Sequence, residues 1–86
     1  MIYTVGWLPS AEAELSRLYN EAAADKRAVS DSCNRIDRDL RVKADRMGVP
    51  HDYGRVYSDP PLCVHFSVDP GDRKVTVLQV ERLGGE

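Results

Sequence analysis

Ile2-Tyr3-Thr4-Val5-Gly6-Trp7-Leu8-Pro9 reads as a strand that runs into a helix start. Ile2, Tyr3, Thr4, Val5 and Trp7 are β-branched or aromatic, the types that suit a pleated surface, and they predict a strand over 2–7. Pro9 stops it. Proline has no N–H to give a ladder, while its fixed φ suits the first turn of a helix. Ser10 is the candidate N-cap, and Glu12 and Glu14 suit the positive end of the helix dipole.

Working outward, Ala11, Leu15, Leu18 and Ala22 recur at spacings of four, three and four, which predicts a helix over 9–24 with one apolar face. Tyr19 widens that stripe. Val29, Cys33, Ile36, Leu40 and Met47 give a second stripe and a helix over 26–47, with Asp25 as candidate cap. Asp31→Arg35, Asp37→Arg41 and Asp39→Lys43 place acid four residues before base, each pair contributing about 0.2–0.5 kcal/mol. Gly48 and Pro50 are stop signals. The two helices form a hairpin.

Strands follow over 53–58, 62–69 and 74–82. Asp59-Pro60-Pro61 separates the first pair, and Pro70-Gly71-Asp72 is a turn before the last. Residues 62–69 alternate: Leu62, Val64, Phe66 and Val68 take one face, Cys63, His65, Ser67 and Asp69 the other. In the last strand Val75, Val77, Leu78 and Val80 break strict alternation, which suits a central strand or one with a bulge. Residues 83–86, Leu83-Gly84-Gly85-Glu86, read as a frayed tail.

The element order is therefore βααβββ. It predicts one α+β domain over 1–86: a curved, four-stranded, mostly antiparallel sheet with the helical hairpin packed on one face. The other face is open, and Cys63, His65 and Ser67 point to it.

Composition limits the function. Of 86 residues 42% are apolar and 30% charged, as in ordinary globular chains. The net charge of −2 gives no overall pull toward nucleic acid, so such a role needs a local basic patch. No stretch is apolar enough to span a membrane, and the N-terminus lacks the pattern of a secretory signal. Cys33 and Cys63 lie in different elements, as free thiols in a reducing cytoplasm do. His51 and His65 do not pair with them at metal-ligand spacing, so no metal site and no cofactor is expected.

The chain resembles the RelE/ParE superfamily of type II toxin–antitoxin toxins over residues 1 to 82. The likeness rests on Tyr3-Thr4-Val5-Gly6-Trp7-Leu8-Pro9 with Ala11 and Leu15-x-x-Leu18, then Ile36-Asp37-x-x-Leu40 and Arg55-Val56. It continues through Pro61-Leu62-Cys63-Val64-His65-Phe66-Ser67-Val68-Asp69 and ends in Arg73-x-Val75-x-Val77-x-x-Val80. The resemblance implies a bacterial toxin neutralised by an antitoxin. RelE-like members cleave mRNA on the ribosome, without metal, from the concave sheet face, and this ribosome-dependent cleavage is the activity the resemblance leads us to expect here, with inhibition of translation as its effect. ParE-like members share the fold and act on DNA gyrase. A degenerate member that only binds antitoxin is the remaining alternative.

RNA cleavage by 2′-OH attack needs a base, a stabiliser of the phosphorane charge and an acid for the leaving oxygen. Arg55, His65 and Arg82 are the candidate catalytic residues on that reading, with Arg55, Tyr57 and Cys63 as the RNA-binding set. Arg55 and Tyr57 share strand parity, and on the open face they would clamp a phosphate and stack on a base. His65 would move a proton. The plainer reading is a solvated arginine, an edge tyrosine, an exposed strand histidine and a surface charge at Arg82. Where the family pattern places an arginine, this chain has Cys63, which offers no fixed charge. It also ends without the tyrosine or helix with which RNA-cleaving members close.

Overall fold

The computed structural model describes residues 2–52 and 54–83. The elements are β1 (Thr4–Trp7), α1 (Pro9–Glu21), α2 (Lys26–Lys43), β2 (Val49–His51), β3 (Gly54–Asp59), β4 (Leu62–Asp69) and β5 (Lys74–Arg82), with 3-10 turns at Ala23–Asp25 and Ala44–Arg46. The strands form one five-stranded sheet in the order β1-β5-β4-β3-β2. β1 runs parallel to β5, and the remaining pairs are antiparallel.

The sheet thus has one strand more than the four expected. Val49-Pro50-His51 pairs with β3, a short edge strand that contains proline and is exposed throughout. An edge tolerates proline because one side of the strand needs no donor. Gly48 makes the turn into β2 at φ 66°, where a Cβ would overlap the Val56 carbonyl. Tyr53, expected to open β3, and Gly84 to Glu86 of the expected tail lie outside the described residues. Leu83 is tied down, its N–H bonded to the Pro61 carbonyl at 2.7 Å.

Both helix starts differ from the capping expected. α1 has Leu8 at its N-cap, with Pro9 in the first turn, and Ser10 is already helical. Asp25 does sit at the N-cap of α2, but its side chain makes no capping bond. Its carboxylate takes Arg82 instead, at 2.8 Å.

Both helices pack on one face of the sheet. The core holds Leu18, Val29, Ile36 and Leu40 from the helices against Leu62, Val64, Phe66, Val75, Val77 and Val80 from the strands. Val77 and Val80 both reach it because the β4–β5 register shifts: Phe66 stands opposite Val77 and His65 opposite Gln79, leaving Leu78 as the extra residue of a bulge. Val5 and Trp7 of β1 stand beside Val75 and Val77 and add to the same layer. Ser32, fully buried, donates from Oγ to the Asp59 carbonyl, and Arg35 grips the Asp59 carboxylate with two bonds of 2.8 and 2.9 Å. The β3–β4 turn is thereby fastened to α2.

Candidate functional site on the open sheet face

Residues directly opposite one another in a ladder share a face, so the register assigns every strand side chain. Val56 lies opposite His65 and Ser58 opposite Cys63, while His65 and Cys63 lie opposite Gln79 and Glu81. These belong to the open face, with Val49 and His51 of β2 at its edge. Arg55 lies opposite Phe66, Tyr57 opposite Val64 and Arg82 opposite Leu62, which are core positions.

The structure therefore does not bring the sequence-derived set together. Cys63 and His65 share the open face. Arg55, Tyr57 and Arg82 are turned to the helix side, which corrects the expectation that Arg55 and Tyr57 face outward. Arg55 donates from Nε to the Met47 carbonyl at 2.6 Å and from Nη2 to the Gly48 carbonyl at 3.2 Å. Tyr57 packs against the core. Arg82 pairs with Asp25 in the turn between the helices.

Among the described residues no strand arginine reaches the open face. Its one strand lysine, Lys74, stands opposite Asp69 at the far end. Between them the face carries serine, threonine, cysteine, histidine, glutamine and Glu81. That surface offers hydrogen bonds and the carboxylates of Glu81 and Asp69, and it lacks the cation cluster that a phosphate backbone requires.

At the β2 side the face dips into a hollow of about 120 Å³, lined by His51, Val56, Cys63, Val64, His65, Gln79 and Glu81. The His51 and His65 rings meet there edge to face, with centroids 5.6 Å apart. They reach one another across β3 because Gly54 interposes no side chain; a Cβ at Gly54 would lie 3.4 Å from His65 Nε2 and would overlap the Phe66 carbonyl. His65 Nε2 is buried and has no hydrogen-bond partner among the described residues. His51 Nε2 faces the Asp52 carboxylate at 3.3 Å. Sequence spacing gave no signal of this pair, since the two histidines lie on non-adjacent strands.

Further hollows lie elsewhere, two of them against α1. One of about 370 Å³ separates the helices, floored by Leu15, Tyr19, Val29 and Cys33. Burial, and secondarily the Asp37 charge, pushes the Cys33 thiol up from its ordinary value. The other, of about 310 Å³, runs between Ser10, Ala11 and Glu14 of α1 and residues 78–81 of β5. There β5 continues past the end of β1: the last bond between them is Leu8 N–H to the Val77 carbonyl at 3.0 Å. No described helix is long and apolar enough to cross a membrane.

No protein-family model matches the sequence, and comparison with curated proteins gives no match. Solved structures do match. A chain of the RelBE2 toxin–antitoxin complex from Mycobacterium tuberculosis superposes with a TM-score of 0.79 at 19% identity, covering 95% of this chain and 99% of that one. A chain of the chromosomal ParDE toxin–antitoxin system from P. aeruginosa gives 0.76 at 18% identity, covering 95% and 97%. The fold is thus the RelE/ParE-like α+β fold that the sequence resemblance implied.

Proposed function

We propose that this chain is the toxin-side component of a type II toxin–antitoxin pair and that it acts by binding, without cleaving RNA. The first half of this reading is supported by near full-length likeness to chains of two toxin–antitoxin systems. The second half is carried by one observation: the β3–β4 and β4–β5 registers set Arg55 and Arg82 opposite core residues. With Cys63 between them and Glu81 beside it, the centre of the open face has no fixed positive charge among the described residues to stabilise a phosphorane, Lys74 standing at its far end opposite Asp69. The mRNA-cleaving reading needs such a charge, whether or not His65 can move a proton.

The antitoxin is the expected partner, and the exposed half-edge of β5 suits an extended segment of it. Residues 78–82 have a strand on the β4 side alone among the described residues, and α1 roofs the gap. A sheet edge of this kind receives a peptide through main-chain bonds. Glu81 at its rim favours a basic segment.

The test is induction of the chain alone in a bacterial host, with primer extension across abundant messages and a supercoiling assay with purified gyrase. Growth arrest with intact messages is the expected result, and loss of supercoiling would name gyrase as the target. New ends confined to translated messages would overturn the binding-only reading. Undisturbed growth, together with no complex with the product of a neighbouring reading frame, would overturn the toxin–antitoxin assignment.

A further inference from the structure

We propose that His51 and His65 together bind a divalent transition-metal ion, Zn²⁺ being the probe of choice, and so clip the edge strand β2 to β4. This site is independent of the toxin–antitoxin reading.

The hollow contains ligand types and little else that is polar: two imidazoles, the Cys63 thiol, the Glu81 carboxylate and the Gln79 amide. An orphaned buried polar atom in a native structure calls for a partner, and an ion is one of the few that fit. His65 Nε2 is such an atom. The centroid separation of 5.6 Å leaves room for one ion between the two rings, given N–metal bonds of about 2.0–2.1 Å. Imidazole nitrogen suits Zn²⁺, Ni²⁺ and Cu²⁺. His51 also has beside it the kind of outer partner that ligating histidines use, the Asp52 carboxylate at 3.3 Å from Nε2.

Among the described residues no three His, Cys, Asp or Glu side chains converge as a closed cage. The ion would accordingly keep open positions, filled by water or by a donor from whatever docks on the face. That makes it a weaker site than a structural zinc centre, and one that an incoming partner can complete.

Gly54 is what permits the arrangement. A Cβ at that position would overlap the Phe66 carbonyl and crowd His65 Nε2 at 3.4 Å.

The experiment is Zn²⁺ titration of the metal-free chain by calorimetry, repeated with His51→Ala, His65→Ala and Asp52→Asn, each checked for native circular dichroism. One ion per chain is expected, with binding lost in either histidine variant and weakened roughly tenfold in Asp52→Asn. His51 is exposed on an edge strand, so His51→Ala keeps the test valid if His65→Ala fails to fold. Absence of saturable binding by the wild-type chain would overturn the proposal. So would Zn²⁺ binding that persists unchanged in His51→Ala, which would place the ion on the thiols.

Discussion

Arg55 stands directly opposite Phe66 in the β3–β4 ladder, and its guanidinium is consumed by the Met47 and Gly48 carbonyls. A residue of catalytic type is thus occupied in holding the connection between α2 and β2. Arg55→Ala removes charge-assisted bonds to main-chain acceptors, contacts of about 1.5–3 kcal/mol each at the upper end of hydrogen-bond strength. The expected outcome is a stability loss of about that size in urea unfolding, with no change in any phosphate-dependent binding at the open face. Loss of such binding without loss of stability would sink this assignment.

Arg82 and Asp25 join the end of β5 to the turn between the helices, with side chains 29% and 59% exposed. Solvent screens such a pair, so its coupling should lie at about 0.2–1 kcal/mol. A double-mutant cycle of Arg82→Ala and Asp25→Ala measures it. A coupling of several kcal/mol would mean that the turn is drier than its exposure suggests.

Phe66 is fully buried at the centre of β4. Phe66→Ala should cost about 3–5 kcal/mol. For a chain this small that is a large share of total stability, and thermal melting should show a steep fall or no cooperative transition.

Cys33 gives the chain a pH dependence. Folding raises its thiol pKa through burial and then through Asp37. The folded state therefore binds the proton more tightly than the unfolded chain. The associated stability is complete below the ordinary thiol range and is lost as pH rises through it toward the raised value. Cys33→Ala should flatten the alkaline limb of a stability-against-pH curve measured by denaturant unfolding. An unchanged slope would show that another group dominates.

The helical hairpin was legible because a period near 3.6 is written in one element at a time. Val29, Ile36 and Leu40 need no knowledge of their neighbours, and all are buried. The strand faces were harder. Parity says that Arg55 and Tyr57 share a side, but which side depends on the register across the Pro60–Pro61 turn, where Asp59 meets Leu62. Cys63, His65 and Ser67 could be assigned from their own strand because its other face is entirely apolar. β2 escaped notice because three residues with a central proline carry no period. The His51–His65 pair escaped because its cause is an absence, the missing side chain of Gly54 on the strand between them. The bulge at Leu78 left a trace in the imperfect alternation of β5, though not its position.

The parallel pairing of β1 with β5 has a consequence for how the protein is made. Of the elements described, β1 leaves the ribosome first and β5 last. Until β5 emerges, the apolar faces of β1 and α1 have no sheet to close upon, and such non-local pairing is slow to form. The nascent chain therefore carries its core exposed through nearly all of its synthesis. A partner already present at that moment, able to cover the same surface, would act as a folding chaperone.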